Sequence, residues 1–216
     1  MTRAWLLSVT ALVATLSFGA SVQAQAAQFT TTNCSHDDET TIRKAMEGAL
    51  ARLSKIEQTS PSLFRSVYDQ AFGTAGQADY TLAFELYYVN VRQVLTAGVH
   101  IGPSGVGDPF PVLNFTCSTL DPSSIAVKNG AGGIILYKAF FQQIAFEAQY
   151  DTADGTVGTQ VSTMLHESIH QIGAGHDLEL DGANQVVTAE NLALAKDPRA
   201  LGNAQNYEKF FMTFRF

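Results

Sequence analysis

Positive charge is scarce in this chain: Lys and Arg total 13 against 20 Asp and Glu, a formal net charge of −7. No basic stripe interrupts that balance, and a nucleic-acid partner would need one, so nucleic-acid binding is excluded. Cysteine is nearly absent, with only two, Cys34 and Cys117. Neither belongs to a C-x-x-C pair, which argues against a thiolate zinc or dithiol redox centre. There is no heptad array, internal repeat or low-complexity segment, and no apolar run of membrane length beyond residue 20.

The apolar run that does occur, Ala4 to Ala20, follows one basic residue, Arg3, and precedes small residues in an A-x-A-like arrangement. Ser, Thr and Gly dilute it, and it falls short of the roughly 20 strongly apolar residues a membrane span requires. It reads as a secretory signal peptide over residues 1–24, with cleavage possible as far as 26. The mature chain is then expected to be exported, extracellular or periplasmic, monomeric and not held at a membrane. In such a chain the two cysteines read as one disulfide, Cys34 to Cys117. About 190 residues remain, enough for one domain with its own core.

Periodicity divides that mature part. Ser35 stands three residues before Asp38 as in a capping box, and Ile42, Met46, Ala49, Leu53 and Ile56 follow at helical spacing. A second helix fits between Pro61 and Gly73, and a third, rich in aromatics, ends at Gly98. "VHIGPSGVGDPFP" reads as loop. "VLNFTC" and "SIAVKNGAGGIILYKAFF" supply strands, the latter as a hairpin about a glycine-rich turn. "GTQVSTMLHESIHQIG", "TAENLALAKD" and "PRALGNAQNYEKFFMTFRF" read as helices. The expected fold class is α+β and mainly helical, a single domain over residues 34–216 with a small sheet.

Histidine is also sparse, yet three of the five, His166, His170 and His176, fall within residues 163–177. Residues four apart on a helix share a face, so His166 and His170 can offer two imidazole nitrogens to one ion. Glu167 lies about 100° round the helix, beside such an ion and not on it. Zinc held this way lowers the pKa of bound water to about 7, and Glu167 can act as general base towards it. The pattern H-E-x-x-H thus implies one zinc ion and hydrolysis of a peptide or protein substrate. Gly173 and Gly175 would end the helix and turn the chain back towards a third ligand. His176 satisfies H-E-x-x-H-x-x-G-x-x-H, the metzincin spacing, although the only downstream methionine is Met212, in an apparent helix. Asp177 and Asp181 are the other candidates.

From Cys34 onward the chain resembles the deuterolysin and peptidyl-lysine metallopeptidase family, the aspzincins. The resemblance is carried by the helix after Cys34, "AFGTAGQADY", "IILYKAFF" before the active-site helix, and the tail "NAQNYEKFF". It implies a secreted zinc metalloendopeptidase in which an aspartate completes the metal site, and it nominates Asp177, the acid closing "AGHD". His176, pointing another way, would then support the site from outside the coordination sphere. Two positions depart from the family. No tyrosine follows Asp177 to stabilise an oxyanion, leaving Tyr207 as the substitute. Gln205 replaces the acid that binds lysine in members cutting before that residue, so lysine preference does not carry over. Two other readings stand beside this one: a metzincin-like protease using His176, and a secreted binding protein that keeps the zinc scaffold without turnover.

Overall fold

The capping box at Ser35 forms as the sequence implies. The Asp38 N–H donates to Ser35 Oγ at 3.2 Å, and the Ser35 N–H donates to Asp38 Oδ2 at 2.9 Å. Helix α1 (His36–Glu57) follows, burying Ile42, Met46, Ala49, Leu53 and Ile56. The computed structural model describes residues 27–73, 78–97, 99–101, 107–120, 125–143, 159–175 and 185–214. The signal-peptide reading at 1–24 therefore lies outside the described residues, as do His176, Asp177 and Asp181.

Helix α2 (Pro61–Phe72) begins with Pro61 after the N-cap Ser60 and ends at Gly73, as expected. Gly73 has φ of +60°, and a Cβ there would stand 1.8 Å from the carbonyl oxygen of Ala193, so backbone conformation and packing both demand glycine. Helix α3 spans Ala78–Thr96. Ala97, with φ of +52°, already takes the left-handed turn that the sequence assigned to Gly98.

Among the described residues, six strands accompany the helices: β1 (Phe29–Thr32), β2 (Val99–Ile101), β3 (Gly107–Pro109), β4 (Leu113–Cys117), β5 (Ala126–Lys128) and β6 (Gly133–Leu136). Four form a sheet in the order β1-β4-β6-β5, parallel except for the β5–β6 hairpin. Three of the six strands escape the sequence reading. "FTTT" has one apolar residue, too little for an alternation to register, yet β1 pairs along β4 from Phe29 opposite Leu113 to Thr32 opposite Thr116. β2 and β3 pair antiparallel within the stretch read as loop. After β6, "YKAFF" continues as the short helix α4 (Lys138–Gln142), not as strand.

The disulfide Cys34–Cys117 forms and joins the turn after β1 to the end of β4 across a sequence separation of 83 residues. A closure of that length removes much conformational freedom from the unfolded chain. Reduction, or replacement of both cysteines by serine, is expected to lower stability by roughly 2–4 kcal/mol in urea denaturation. A loss below about 1 kcal/mol would show that strand pairing alone holds β1 in place.

The remaining helices are α5 (Gln160–Gln171), α6 (Gln185–Leu194) and α7 (Ala204–Thr213). The sequence reads one helix from residue 198 onward, but the structure divides it. Pro198–Gly202 is a 3-10 turn, and Asn203 is extended before α7 begins. The division has a cause in the next layer. The Gly175 N–H donates to the Gly202 carbonyl and the Ala204 N–H donates to the Gly175 carbonyl, both at 2.9 Å, a bridge that helical backbone at Asn203 could not make. Asn206 is fully buried and donates to the carbonyls of Ala71 and Ala189, tying α7 to α2 and α6.

An aromatic cluster seats α7. Phe210 meets Phe84 edge-on with ring centroids 4.6 Å apart, and also contacts Phe64, Tyr68 and Phe72. Aromatic pairs of this kind contribute about 0.5–1.5 kcal/mol each beyond their burial. The helix that carries Glu208 is therefore held rigidly against the rest of the core. Among the described residues no helix is long and apolar enough to cross a membrane.

Candidate metal centre

Helix α5 opens with a capping box, Thr159 and Ser162 exchanging side-chain and backbone hydrogen bonds. Val161, Leu165 and Ile169 are buried in the core, as their spacing implies. With that stripe packed behind, His166 and His170 share the opposite side of the helix. Their rings lie edge to face, centroids 4.7 Å apart, with the two Nε2 atoms 3.0 Å from each other.

Each ring is oriented through its other nitrogen. His170 Nδ1 lies 2.8 Å from the carbonyl oxygen of Ala174. A carbonyl only accepts, so Nδ1 carries the proton and Nε2 presents a lone pair. His166 Nδ1 lies 2.9 Å from Glu208 Oε2, and the same logic applies. Two lone pairs facing each other at that distance repel unless a proton or a metal cation lies between them. Zinc–nitrogen bonds of about 2.0–2.1 Å in tetrahedral geometry place two ligand nitrogens roughly 3.3 Å apart, close to what the pair shows. The electrostatics agree. Burial alone would depress the His166 pKa, but the hydrogen bond and charge of Glu208, with the charge of Glu167, outweigh it and raise the pKa above the usual imidazole value. The centre favours positive charge where the two rings meet, and these donors fit zinc.

Glu167 is only 5% exposed, and its Oε2 is closed off from solvent with no hydrogen-bond partner. Burial raises its pKa, the charge of Glu208 adds to the shift, and His166 and Lys128 oppose it. A carboxylate oxygen left without a partner in the interior costs stability.

Neighbouring elements fix the C-terminal end of α5. Lys128 Nζ, on β5, donates to the His170 carbonyl at 2.8 Å, where a cation suits the helix dipole. The turn before β6 binds Gln171 twice: the Gly132 N–H donates to Gln171 Oε1 at 2.8 Å, and Gln171 Nε2 donates to the Gly133 carbonyl at 3.0 Å. Beyond the helix, Gly173 turns with φ of +101° and Gly175 is pinned to the start of α7. The chain thus enters residues 176–184 from an anchored point beside His170.

Glu208 is the site residue that sequence reasoning missed. Its signal was available: Ala204, Glu208 and Phe211 share one face of α7, so a carboxylate stands on a buried apolar stripe. Gln205 sits beside it, Nε2 donating to Glu208 Oε2 at 3.1 Å. The neutral amide there steadies the carboxylate that orients His166. Tyr207 does not supply the oxyanion group proposed for it from sequence. It is fully buried, its hydroxyl donates to the Leu201 carbonyl at 2.8 Å, and its ring stacks on Tyr87. Among the described residues no group of three or more His, Cys, Asp or Glu is arranged to hold a metal.

Neither the profile of any known protein family nor any curated protein sequence matches this chain. Among solved structures, a zinc peptidase from Grifola frondosa superposes with a TM-score of 0.57 at 20% sequence identity, covering 83% of this chain and 97% of that one. At that identity the likeness is one of fold: the α+β architecture that carries His166, Glu167 and His170 is shared with a zinc peptidase.

Proposed function

We propose that this protein is an exported zinc-dependent endopeptidase of the aspzincin type, with a peptide or protein in extended conformation as substrate. The observation that carries the reading is the imidazole pair with Nε2 atoms 3.0 Å apart, beside the buried and partnerless carboxylate oxygen of Glu167. The fold shared with a zinc peptidase supports it. Export is supported by the disulfide, a feature of oxidising compartments.

His166 and His170 would hold the zinc, and Asp177, by the resemblance of "AGHD" to the family pattern, would complete the protein ligands. Zinc, when bound, supplies a Lewis acid that polarises the scissile carbonyl and acidifies water. The chain's own groups do the rest. Glu167 Oε2 takes a proton from the water attacking the carbonyl carbon. When the carbon–nitrogen bond breaks, the same carboxyl returns that proton to the departing amine. Glu208 keeps His166 in the tautomer and orientation that present Nε2, and the Ala174 carbonyl does so for His170.

The test is hydrolysis of casein by the purified mature protein, with and without chelator, alongside measurement of bound metal. Cleavage lost on chelation and restored by zinc is expected. A protein that holds one zinc yet cleaves neither casein nor a broad peptide library would instead be a binding protein built on this scaffold. Glu208→Ala is expected to weaken zinc binding 10–100-fold in chelator competition, the usual cost of losing a carboxylate behind a ligating histidine. Unchanged affinity would remove Glu208 from the metal's support.

A further inference from the structure

The active-site helix turns a second set of polar residues inward. Gln160, Thr163 and Glu167 recur at i, i+3 and i+7, a spacing normally reserved for core leucines, and all three are buried. On the helix circumference they run alongside His166 and His170, so the stripe continues the metal site by one to two turns towards the start of α5. Packed against it is the C-terminal end of α4. Gln160 Nε2 donates to the Phe140 carbonyl at 3.4 Å, and Thr163 Oγ1 donates to Gln143 Oε1 at 3.0 Å.

The second contact orients an amide. With Oε1 engaged by the threonine hydroxyl, the Gln143 Nε2 group faces away from it. That nitrogen is closed off from solvent and has no hydrogen-bond partner. Five buried side-chain atoms among the described residues lack a partner. Three lie on α2 and α3: Asp69 Oδ1, Arg92 Nε and Gln93 Oε1. The other two are Glu167 Oε2 and Gln143 Nε2, an acceptor and a donor along one stripe of α5, linked through Thr163 a single turn from Glu167. A buried amide donor without an acceptor is destabilising, and so it marks a place where an acceptor is to arrive. Both atoms are closed off from solvent, and Thr163 connects them along one stripe of α5.

We propose that Gln143 is a substrate-binding residue whose Nε2 donates a hydrogen bond to a carbonyl-type oxygen of the substrate, next to the bond that is cut. One helical turn is about 5.4 Å and an extended peptide advances about 3.3 Å per residue, so the partner belongs to a residue flanking the scissile bond. Thr163 is the positioning residue that aims the amide. The acceptor is either a backbone carbonyl or the side-chain oxygen of Asn, Gln, Asp or Glu at that position. The inference rests on the peptidase reading.

The experiment compares wild type with Gln143→Leu and the isosteric Gln143→Glu, each loaded with zinc, on a library of peptides of known cut sites. Wild type must cleave first, and its failure to do so would sink the peptidase reading, not the role of Gln143. With an active wild type, kcat/KM is expected to fall about tenfold in Gln143→Leu and further in Gln143→Glu, which sets a carboxylate against the incoming oxygen. A uniform fall across the library identifies a backbone carbonyl, whereas a fall confined to peptides with Asn, Gln, Asp or Glu beside the cut identifies a side-chain oxygen. Zinc content should be unchanged, and the Tm of Gln143→Leu should stay near that of wild type, because the variant removes an unsatisfied donor and also the acceptor of the Thr163 hydroxyl. Peptide binding in the catalytically silenced Glu167→Gln background should weaken in parallel when Gln143→Leu is added. Folded, zinc-loaded variants of both kinds with wild-type kcat/KM, cut-site profile and peptide binding would overturn the proposal.

Discussion

Glu167→Gln should retain one equivalent of zinc and the native fold while peptide hydrolysis falls by roughly a thousandfold. Glutamine keeps the shape of the side chain but cannot accept the proton that leaves the attacking water. Glu167 accepts no hydrogen bond at Oε2 and lies beside the histidine pair, so its replacement by glutamine breaks no hydrogen bond at that oxygen. Removing a buried carboxylate should leave the Tm of the metal-free protein equal to or above that of wild type, the signature of a group kept for function at the expense of stability. The comparison needs kcat/KM on a quenched peptide, bound zinc and a melting curve from one preparation. Activity within tenfold of wild type would remove Glu167 as the general base.

The second large effect concerns the proposed third ligand. Asp177→Ala is expected to lose zinc and activity together, because two histidines alone hold the ion poorly. His176→Ala should then keep its zinc with an affinity 10–100-fold weaker, as when a supporting partner is lost. If the metzincin spacing describes the site instead, the two outcomes exchange. A full equivalent of zinc in both variants would move the ligand to Asp181. Metal titration of the two alanine variants therefore decides among His176, Asp177 and Asp181, and the bridge from Gly175 to Gly202 and Ala204 keeps the entry to that segment the same in each.

What could be read from the sequence was local. Ser35 and Asp38 are three residues apart, and their capping box forms without help from the rest of the chain. Pro61 and Gly73 mark the ends of α2 by their own backbone preferences. His166 and His170 bring their rings together because a helix puts i and i+4 on one face, whatever surrounds it. The cysteine pair was legible through a different kind of simplicity, since two cysteines allow a single pairing.

What the tertiary structure alone decided depends on partners far apart in the chain. β1 is polar and too short to declare itself, and it exists because β4, more than eighty residues on, offers a ladder and Cys117 a covalent tie. The break before α7 follows from a bridge to Gly175, which overrides a sequence that otherwise reads as continuous helix. Tyr207 carries a hydroxyl that could do chemistry anywhere, and only packing shows it enclosed on the Leu201 carbonyl. Glu208 reaches His166 across 42 residues because the aromatic cluster seats α7 against α5. Helical periodicity constrains neighbours a few residues apart through backbone geometry. Contacts between elements are chosen by burial and by the need to satisfy polar groups once the chain has closed, and those conditions exist only in the folded molecule.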